Sequence, residues 1–141
     1  MNAVRVLVVE DEPSFADALG VGLAREGFAV EVVGDGAAAL EAFERRSPDL
    51  VLLDLMLPTL SGIDVCREIR TRSSIPIIMV TALNDRQSKL RGLDAGADDF
   101  ISKPYDRMEL RTRVRSILRV NRYRRLTQER DHRKRAWSGA L

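Results

Sequence analysis

The stretch VRVLVVEDEP, residues 4–13, decides the fold. It opens with a β-branched apolar run, residues 4–9, of the kind expected for a strand buried on both faces. Three acids follow, and Pro13 then takes a position favoured at the start of a helix. Apolar residues at helical spacing continue until Gly27, which ends the predicted helix. These apolar positions are Phe15, Leu19 and Leu23.

The same strand–helix unit recurs along the chain. Further strands are predicted over 28–33, 50–54, 75–80 and 99–102. Helices are predicted over 37–46 and 85–95 and after the capping pairs Ser61–Asp64 and Asp106–Glu109, the last with Leu110, Val114, Ile117 and Leu118 inward. Five alternating units predict an α/β fold with helices on both faces of a parallel sheet. We expect a flavodoxin-like, doubly wound (βα)5 sheet with strand order 2-1-3-4-5.

The composition excludes several classes of protein. The 141 residues are 45% hydrophobic and 31% charged, a globular rather than a disordered balance. No apolar run approaches the ~18 residues that span a bilayer, so we expect a cytoplasmic protein without membrane contact. Cys66, the single cysteine, rules out an intrachain disulfide and a cysteine zinc site, and is interpreted as a packing residue. The single histidine, His132, argues against histidine-rich metal sites and against a Ser-His-Asp triad.

Charge divides the chain into two parts. Residues 119–141 hold eight basic and two acidic residues, a net charge of +6, whereas residues 1–118 carry −4. The apolar stripe of the last helix also fades after Leu118. We therefore expect a globular domain over 1–118, followed over 119–141 by a basic helical extension or a linker to an output domain outside this chain.

Polar side chains follow four of the predicted strands. In a parallel sheet the carboxyl ends of the strands share one edge, where ligands bind. Taken singly, these residues have ordinary interpretations: a solvated turn, a strand end, a strand threonine and a surface lysine. Their coincidence at successive strand ends indicates a site. They are Glu10, Asp11 and Glu12 after the first strand, Asp54 after the third, Thr81 after the fourth and Lys103 after the fifth.

The residue types at these strand ends point to phosphoryl chemistry. Neighbouring carboxylates repel one another unless a cation joins them. A few oxygen ligands with open positions suit Mg²⁺, whereas the glycine of a calcium loop is missing. A carboxylate beside Mg²⁺ and Lys103 is placed to attack phosphorus, so Asp54 is a candidate covalent nucleophile.

Two other phosphate-handling sites fit the sequence poorly. A Walker-type or flavodoxin-like anion site needs glycines and backbone N–H groups after the first strand, where this chain has Glu-Asp-Glu-Pro. A haloacid-dehalogenase-like phosphatase needs a second aspartate two residues after the nucleophile, and Met56 stands there. An independent phosphatase is therefore disfavoured.

The sequence resembles the receiver domain of two-component response regulators, and within that family its front half is most similar to the winged-helix transcription-factor class. The resemblance covers residues 4–118. The segments that match are VLVVEDEP (6–13), LVLLDLMLPTLSG (50–62), PIIMVTA (76–82) and GADDFISKPYD (96–106).

The resemblance implies a role for each matching residue. Asp54 is similar to the phosphoacceptor, and Lys103 to the family's lysine, with a cis peptide before Pro104. Thr81 and Phe100 are similar to the switch hydroxyl and the switch aromatic. The Mg²⁺ ligands implied are Glu10, Asp11, Asp54 and the backbone carbonyl of Met56. The glutamate departs mildly from the family, in which aspartate is also frequent at that position, and its longer arm would reach the ion through water.

The implied activity is regulatory rather than metabolic. A sensor histidine kinase or a phosphotransfer protein would pass its phosphoryl group to Asp54, and the change would reach the face formed by the fourth helix, fifth strand and fifth helix. By resemblance, this face would form a phosphorylation-dependent homodimer that controls transcription. Its predicted pairs across the two-fold axis are Lys89 with Glu109 and Asp99 with Arg113.

The output remains open at the level of the sequence. The basic extension is compatible with a solvated linker, with weak DNA contact, or with an exit helix into an output domain. The run RVRSILRVNRYRRLTQER (113–130) is more similar to receivers joined to cyclic-dinucleotide enzymes, phosphatases or kinases. The chain could be truncated, hybrid or stand-alone. A pseudo-receiver that acts only as an interaction module is a further alternative.

Overall fold

The computed structural model describes residues 3–83 and 85–122, within which five strands alternate with five helices. The strands are β1 (Arg5–Val9), β2 (Ala29–Val33), β3 (Leu50–Leu53), β4 (Ile77–Thr81) and β5 (Asp99–Ser102). The helices are α1 (Pro13–Arg25), α2 (Gly36–Arg45), α3 (Gly62–Arg70), α4 (Arg86–Asp94) and α5, helical over 107–122.

All five strands are parallel and form one sheet in the order β2-β1-β3-β4-β5. The strand β1 is paired on both sides, with Val8 opposite Val32 of β2 and Leu52 of β3. The predicted α/β fold, its alternation and its strand order are confirmed.

Two apolar layers cover the sheet, one on each face. Leu7 and Val9 of β1 point into the layer beneath α2 and α3, and Val6 and Val8 point into the layer beneath α1 and α5. Because successive side chains of a strand alternate between faces, a strand buried on both must be apolar at every position. This explains the uninterrupted apolar run in residues 6–9, which follows the half-buried Arg5.

Side-chain caps fix the starts of three helices. Asp35, Ser61 and Asp85 each accept a hydrogen bond from a backbone N–H of the first turn of α2, α3 and α4. The predicted cap at Ser61 is confirmed. The strand β4 begins at Ile77 rather than at the predicted residue 75, because Pro76 has no N–H to offer to the strand ladder.

At the start of the fifth helix, only Asp106 of the predicted capping pair Asp106–Glu109 makes a capping hydrogen bond. The Asp106 carboxylate accepts a hydrogen bond from the Met108 N–H at 2.7 Å, but the Glu109 carboxylate pairs with Arg113, one turn further along the helix. The helix continues past residue 118, the predicted end of the globular domain, and Val120 is exposed. The rest of the basic extension, 123–141 with His132, lies outside the described residues.

A charged cluster closes the amino ends of β4 and β5, and we call it the amino-edge cluster. Arg70, the last residue of α3, donates hydrogen bonds to the carbonyls of Gly96 at 2.9 Å and Ile75 at 2.6 Å. It also pairs with the Asp98 carboxylate at 2.8 Å. A side chain on Gly96 would collide with Arg70, and its φ of +113° favours glycine. The cluster joins α3 to the starts of both strands.

Among residues 3–83 and 85–122, the helices lack the combination of length and apolar character that a bilayer crossing needs.

Candidate functional site

Four of the predicted strand-end residues meet at the carboxyl edge of the sheet. The Lys103 ammonium lies 2.9 Å from Oδ2 of Asp54 and also contacts Oε1 of Glu10. Glu10 and Asp54 are almost fully buried, 3% and 6% exposed. Thr81 is buried beside them at the end of β4, and its carbonyl accepts a hydrogen bond from the Lys103 N–H at 2.9 Å.

The backbone after β3 holds Asp54 in place. Its N–H donates to the Val9 carbonyl at 3.1 Å, and its Oδ1 accepts a hydrogen bond from the Met56 N–H at 3.1 Å. The start of α3 then presses against the same segment, because a Cβ on Gly62 would lie 2.0 Å from the Asp54 carbonyl oxygen. Only glycine allows this approach, so Gly62 positions the loop around the carboxylate.

Glu10 is a buried acid with a single described partner for each carboxylate oxygen. Its Oε2 accepts a hydrogen bond from the Glu12 N–H at 3.3 Å. Its Oε1 contacts the Lys103 ammonium and no other described hydrogen-bond donor. Burial raises the pKa of Glu10, and the hydrogen bonds with Lys103 and Glu12 offset only part of that rise.

Lys103 is the positive charge at the centre of the site, and its side chain is 7% exposed. Burial by itself would lower the pKa of Lys103, but hydrogen bonds to Glu10 and Asp54 outweigh burial and raise it. The ammonium also lies over the ring of Phe15, 4.4 Å from its centroid. Lys103 is therefore charged at neutral pH and enclosed. The predicted cis peptide between Lys103 and Pro104 is observed.

Glu10, Asp11 and Asp54 form a cluster that could hold a cation. One carboxylate oxygen from each lies within 4.8 Å of the others, with Asp11 exposed and the other two buried. We call these three acids together with Lys103 the carboxyl-edge cluster, and its formal charge is −2 when all four groups are ionised. An oxygen-only donor set and an excess of negative charge that Lys103 alone does not neutralise fit Mg²⁺.

The two residues predicted to act as switches lie in the last two strands: Thr81 is the last residue of β4, and Phe100 is in β5. Thr81 accepts a hydrogen bond from the Leu83 N–H through its hydroxyl oxygen at 3.3 Å. Phe100 is half-buried against the apolar layer beneath α2 and α3. The Lys89 ammonium lies 5.9 Å from the centre of its ring.

Three of the four charges predicted to pair between two copies, Asp99, Glu109 and Arg113, form ion pairs within this chain. Arg113 lies 2.7 Å from the Asp99 carboxylate and 3.3 Å from the Glu109 carboxylate. These hydrogen bonds and ion pairs raise the pKa of Arg113. Any pairing across a dimer must therefore compete with contacts inside each copy.

The sequence pattern assigned Phe15 to the apolar stripe of α1 with Leu19 and Leu23. The structure confirms this for the two leucines, which are buried in the core, but places the Phe15 ring over Lys103. Its helical phase was a weak guide because the first turn of α1 extends beyond the core. Its position five residues after Glu10, at the acidic turn, was the available signal. The positioning role of Gly62 was likewise missed, since nothing in the sequence shows that the start of α3 lies against the Asp54 carbonyl.

Two proteins of Mycolicibacterium smegmatis are similar in sequence to most of this chain. It is 56% identical over 114 residues to the sensory transduction protein RegX3 of Mycolicibacterium smegmatis, which is 81% of this chain and 50% of that relative. It is 52% identical over 117 residues to the DNA-binding response regulator MtrA of the same organism, 83% of this chain and 51% of the relative. The chain thus spans about half the length of the curated relatives it matches.

A solved structure shows the same fold with an ion in the cleft. The receiver domain of the sensor histidine kinase PA1611 from Pseudomonas aeruginosa PAO1 has a magnesium ion coordinated in its active-site cleft. It matches with a TM-score of 0.77 and 32% identity, over 83% of this chain and 98% of that one. The family model of the response regulator receiver domain matches residues 6–115. The chain belongs to the receiver domain family of two-component response regulators.

Proposed function

We propose that Asp54 accepts a phosphoryl group from a phosphohistidine of a sensor histidine kinase or a phosphotransfer protein. The observation that supports this most directly is the 2.9 Å contact between Asp54 and the enclosed Lys103 ammonium, inside a cluster of acids. In the transfer, a carboxylate oxygen of Asp54 attacks phosphorus and forms a P–O bond. The P–N bond to the donor imidazole breaks, and that nitrogen keeps the electron pair.

Glu10, Asp11, Asp54 and the backbone carbonyl of Met56 would hold Mg²⁺. The cluster of three carboxylates supports this proposal, as does the magnesium in the related PA1611 receiver. Such an ion supplies positive charge to phosphoryl oxygens. The role of Glu10 also fits its burial, since Lys103 is shared with Asp54 and a second cation would further offset the cost of ionised carboxylates away from water.

Lys103 and Thr81 act next to the reacting group. The ammonium of Lys103 neutralises charge on the transferring phosphoryl group, which reduces the barrier. Once Asp54 is modified, the Thr81 hydroxyl turns toward the new oxygens, and Phe100 moves inward. The Thr81 hydrogen bond to a charged phosphoryl oxygen is a contact that only the modified state makes; at about 1.5–3 kcal/mol it shifts the equilibrium toward that state.

The chain acts as a regulatory phosphoacceptor in this proposal, with Asp54 as both reactant and signal. The modification adds roughly one negative charge to the cluster. The signal then reaches the output face, which comprises α4, β5 and α5 with Lys89, Asp99, Glu109 and Arg113. We propose that Lys89 pairs with Glu109 of a second copy, and Asp99 with Arg113 of a second copy, in a phosphorylation-dependent dimer.

Arg113 must exchange its internal ion pairs for pairs with a second copy when that dimer forms. Exposed ion pairs contribute little individually, so exchanging internal pairs for intermolecular pairs costs little and selects register rather than affinity. Phosphorylated wild-type protein should double in mass by light scattering, and Arg113→Glu should weaken the dimer. An unchanged dimer in that variant would refute the assigned pairs.

We propose that residues 1–118 form the receiver unit and that residues 119–141 lead toward an output domain that regulates transcription. The name of MtrA, a DNA-binding response regulator about twice as long as the matched region, supports this output. The apolar contacts of α5 also support the boundary, since Val114 is buried whereas Val120 is exposed.

Intact-protein mass spectrometry tests the phosphoacceptor. Wild-type protein is incubated with Mg²⁺ and either acetyl phosphate or phosphoramidate, whose P–N bond resembles that of phosphohistidine. We expect a gain of one phosphoryl mass that disappears in Asp54→Asn or without Mg²⁺. The matched control Asp64→Asn removes an exposed carboxylate on α3 and should still gain the mass. No gain from either donor, or an equal gain in Asp54→Asn, would contradict the proposal.

A further inference from the structure

The Lys103 ammonium has an aromatic neighbour that the proposed transfer leaves without a role. Phe15, in the first turn of α1, places its ring centroid 4.4 Å from Nζ. This is well within the ~6 Å at which a cation is attracted to a ring face. The ring is itself packed against Tyr105, with centroids 6.2 Å apart and planes inclined by 46°.

Phe15 is the aromatic member of the cleft wall. The cleft holds about 390 Å³, and the acids, Thr81 and Lys103 line it together with this ring. An ammonium has three N–H donors, and two carboxylates already contact this one. The ring covers another side of Nζ with apolar surface, so it excludes water there while adding no negative charge.

That chemistry matters because Lys103 must remain free to contact a phosphoryl group. A further carboxylate beside Nζ would hold the ammonium away from the transferred group. An aliphatic side chain would exclude water but would attract the cation only weakly. A ring face does both, since its quadrupole attracts the ammonium without offering a hydrogen-bond acceptor that competes with phosphate oxygens.

We propose that Phe15 is a positioning residue that holds the Lys103 ammonium against the cleft wall and shields it from water, and thereby accelerates phosphoryl transfer to Asp54. The inference rests on the proposed function, because it requires the transfer to occur. It assigns to α1 a contribution to the reaction that is separate from the acids at its N-terminal side.

The contact itself can be measured without any phosphoryl donor. The sequence contains three lysines, Lys89, Lys103 and Lys134, so selective ¹³C,¹⁵N-lysine labelling gives three sets of side-chain signals. Ring current from Phe15 should shift the ε-methylene protons of Lys103 upfield. We expect this shift to vanish in Phe15→Leu, to persist in Phe15→Tyr and to persist in Phe28→Leu. The Lys89 signals should stay in place and report an intact fold.

The rate of phosphorylation by acetyl phosphate with Mg²⁺ supplies the second measurement. Loss of a desolvated cation–π contact predicts a rate about five- to thirtyfold lower in Phe15→Leu. Phe15→Tyr should restore the rate to within about threefold, because it keeps the ring face. Phe28→Leu makes the same substitution at a half-buried position that packs on the layer beneath α1 and α5 but does not line the cleft, and should leave the rate unchanged.

The outcomes separate this inference from the proposed function. If the wild type accepts no phosphoryl group, the proposed function fails and the inference fails with it. If the wild type is phosphorylated but Phe15→Leu reacts at the wild-type rate, the inference alone fails. An absent upfield shift of Lys103 in the wild type, or an equal rate loss in Phe28→Leu, would also overturn it.

Discussion

The two ends of the sheet each contain a charged cluster, and the clusters differ in how completely their charges are balanced. At the amino edge, Arg70 donates from Nε and from both terminal nitrogens, to backbone carbonyls and to Asp98. At the carboxyl edge, three acids lie together and only Glu10 and Asp54 contact Lys103, which is also the described partner of the buried Oε1 of Glu10.

The difference distinguishes structural charge from functional charge. The amino-edge cluster is complete by itself, since Asp98 balances Arg70 and also accepts a hydrogen bond from the Ile77 N–H at 2.8 Å. The carboxyl-edge cluster has an excess of negative charge that one ammonium cannot neutralise. A satisfied cluster stabilises the fold, whereas an unsatisfied one costs stability until a cation binds.

The largest change in the free energy of unfolding is expected from a substitution in the amino-edge cluster. Arg70→Met keeps the length of the side chain but removes its hydrogen bonds and its ion pair with Asp98. Two backbone carbonyls would then lose a donor and Asp98 would lose its ion pair, so the free energy of unfolding should fall by about 3 kcal/mol. Urea denaturation followed by circular dichroism measures this change.

Arg67→Met is the matched control, because it makes the same substitution on an exposed position of the same helix. It should alter the free energy of unfolding by no more than about 0.5 kcal/mol. Equal effects of the two variants would show that the amino-edge cluster contributes nothing specific.

The carboxyl-edge cluster could be predicted from the sequence, but the amino-edge cluster could not. Parallel strands bring their carboxyl ends together, so polar residues such as Asp54 and Lys103 directly after apolar strands are informative. The partners of Arg70 are mostly backbone carbonyls, which every residue possesses. A residue type gives no signal when its partner is the main chain.

Two further contacts were not predicted from the sequence. Arg113 was predicted to pair with a second copy, yet Glu109 lies four residues earlier on the same helix, a spacing that favours an internal pair. Phe15 followed the helical period of the core but lies over Lys103, because periodicity gives direction around a helix and not depth along it. The contact of Phe15 with Lys103 depends on tertiary geometry, whereas the Arg113–Glu109 pair follows from helical spacing alone.

The next prediction concerns Mg²⁺, which would supply positive charge to the carboxyl-edge cluster but not to the amino-edge cluster. Mg²⁺ should stabilise the wild type, because a ligand that binds only the folded state adds RT ln(1 + [Mg²⁺]/Kd). At roughly ten times Kd the gain is about 1.4 kcal/mol, and it should be lost in Asp54→Asn. Thermal unfolding at constant ionic strength, with and without Mg²⁺, measures it.

Asp64→Asn provides the comparison for this measurement, since its carboxylate is exposed on α3 away from the cleft. It should keep the whole stabilisation by Mg²⁺. The amino-edge variant Arg70→Met should keep it as well, although from a lower starting stability. An equal Mg²⁺ effect in Asp54→Asn would place the binding elsewhere.

The smallest expected change in the free energy of unfolding is that of Glu10→Gln, and it is a gain in stability, whereas Arg70→Met at the amino edge is expected to lose stability. In metal-free buffer, Glu10→Gln removes one charge from a cluster with an excess of acids, so the free energy of unfolding should rise by about 1 kcal/mol at neutral pH.

Burial raises the pKa of Glu10 in the folded state, so the folded protein holds this proton at a pH where the unfolded chain has lost it. Wild-type stability therefore falls as pH rises from the ordinary glutamate pKa to the raised value. The advantage of Glu10→Gln should grow over that interval and stay constant above it, as urea midpoints at several pH values would show. A loss of stability at neutral pH would mean that the ion pair with Lys103 outweighs the repulsion among the acids, and that both edges of the sheet stabilise the fold in the same way.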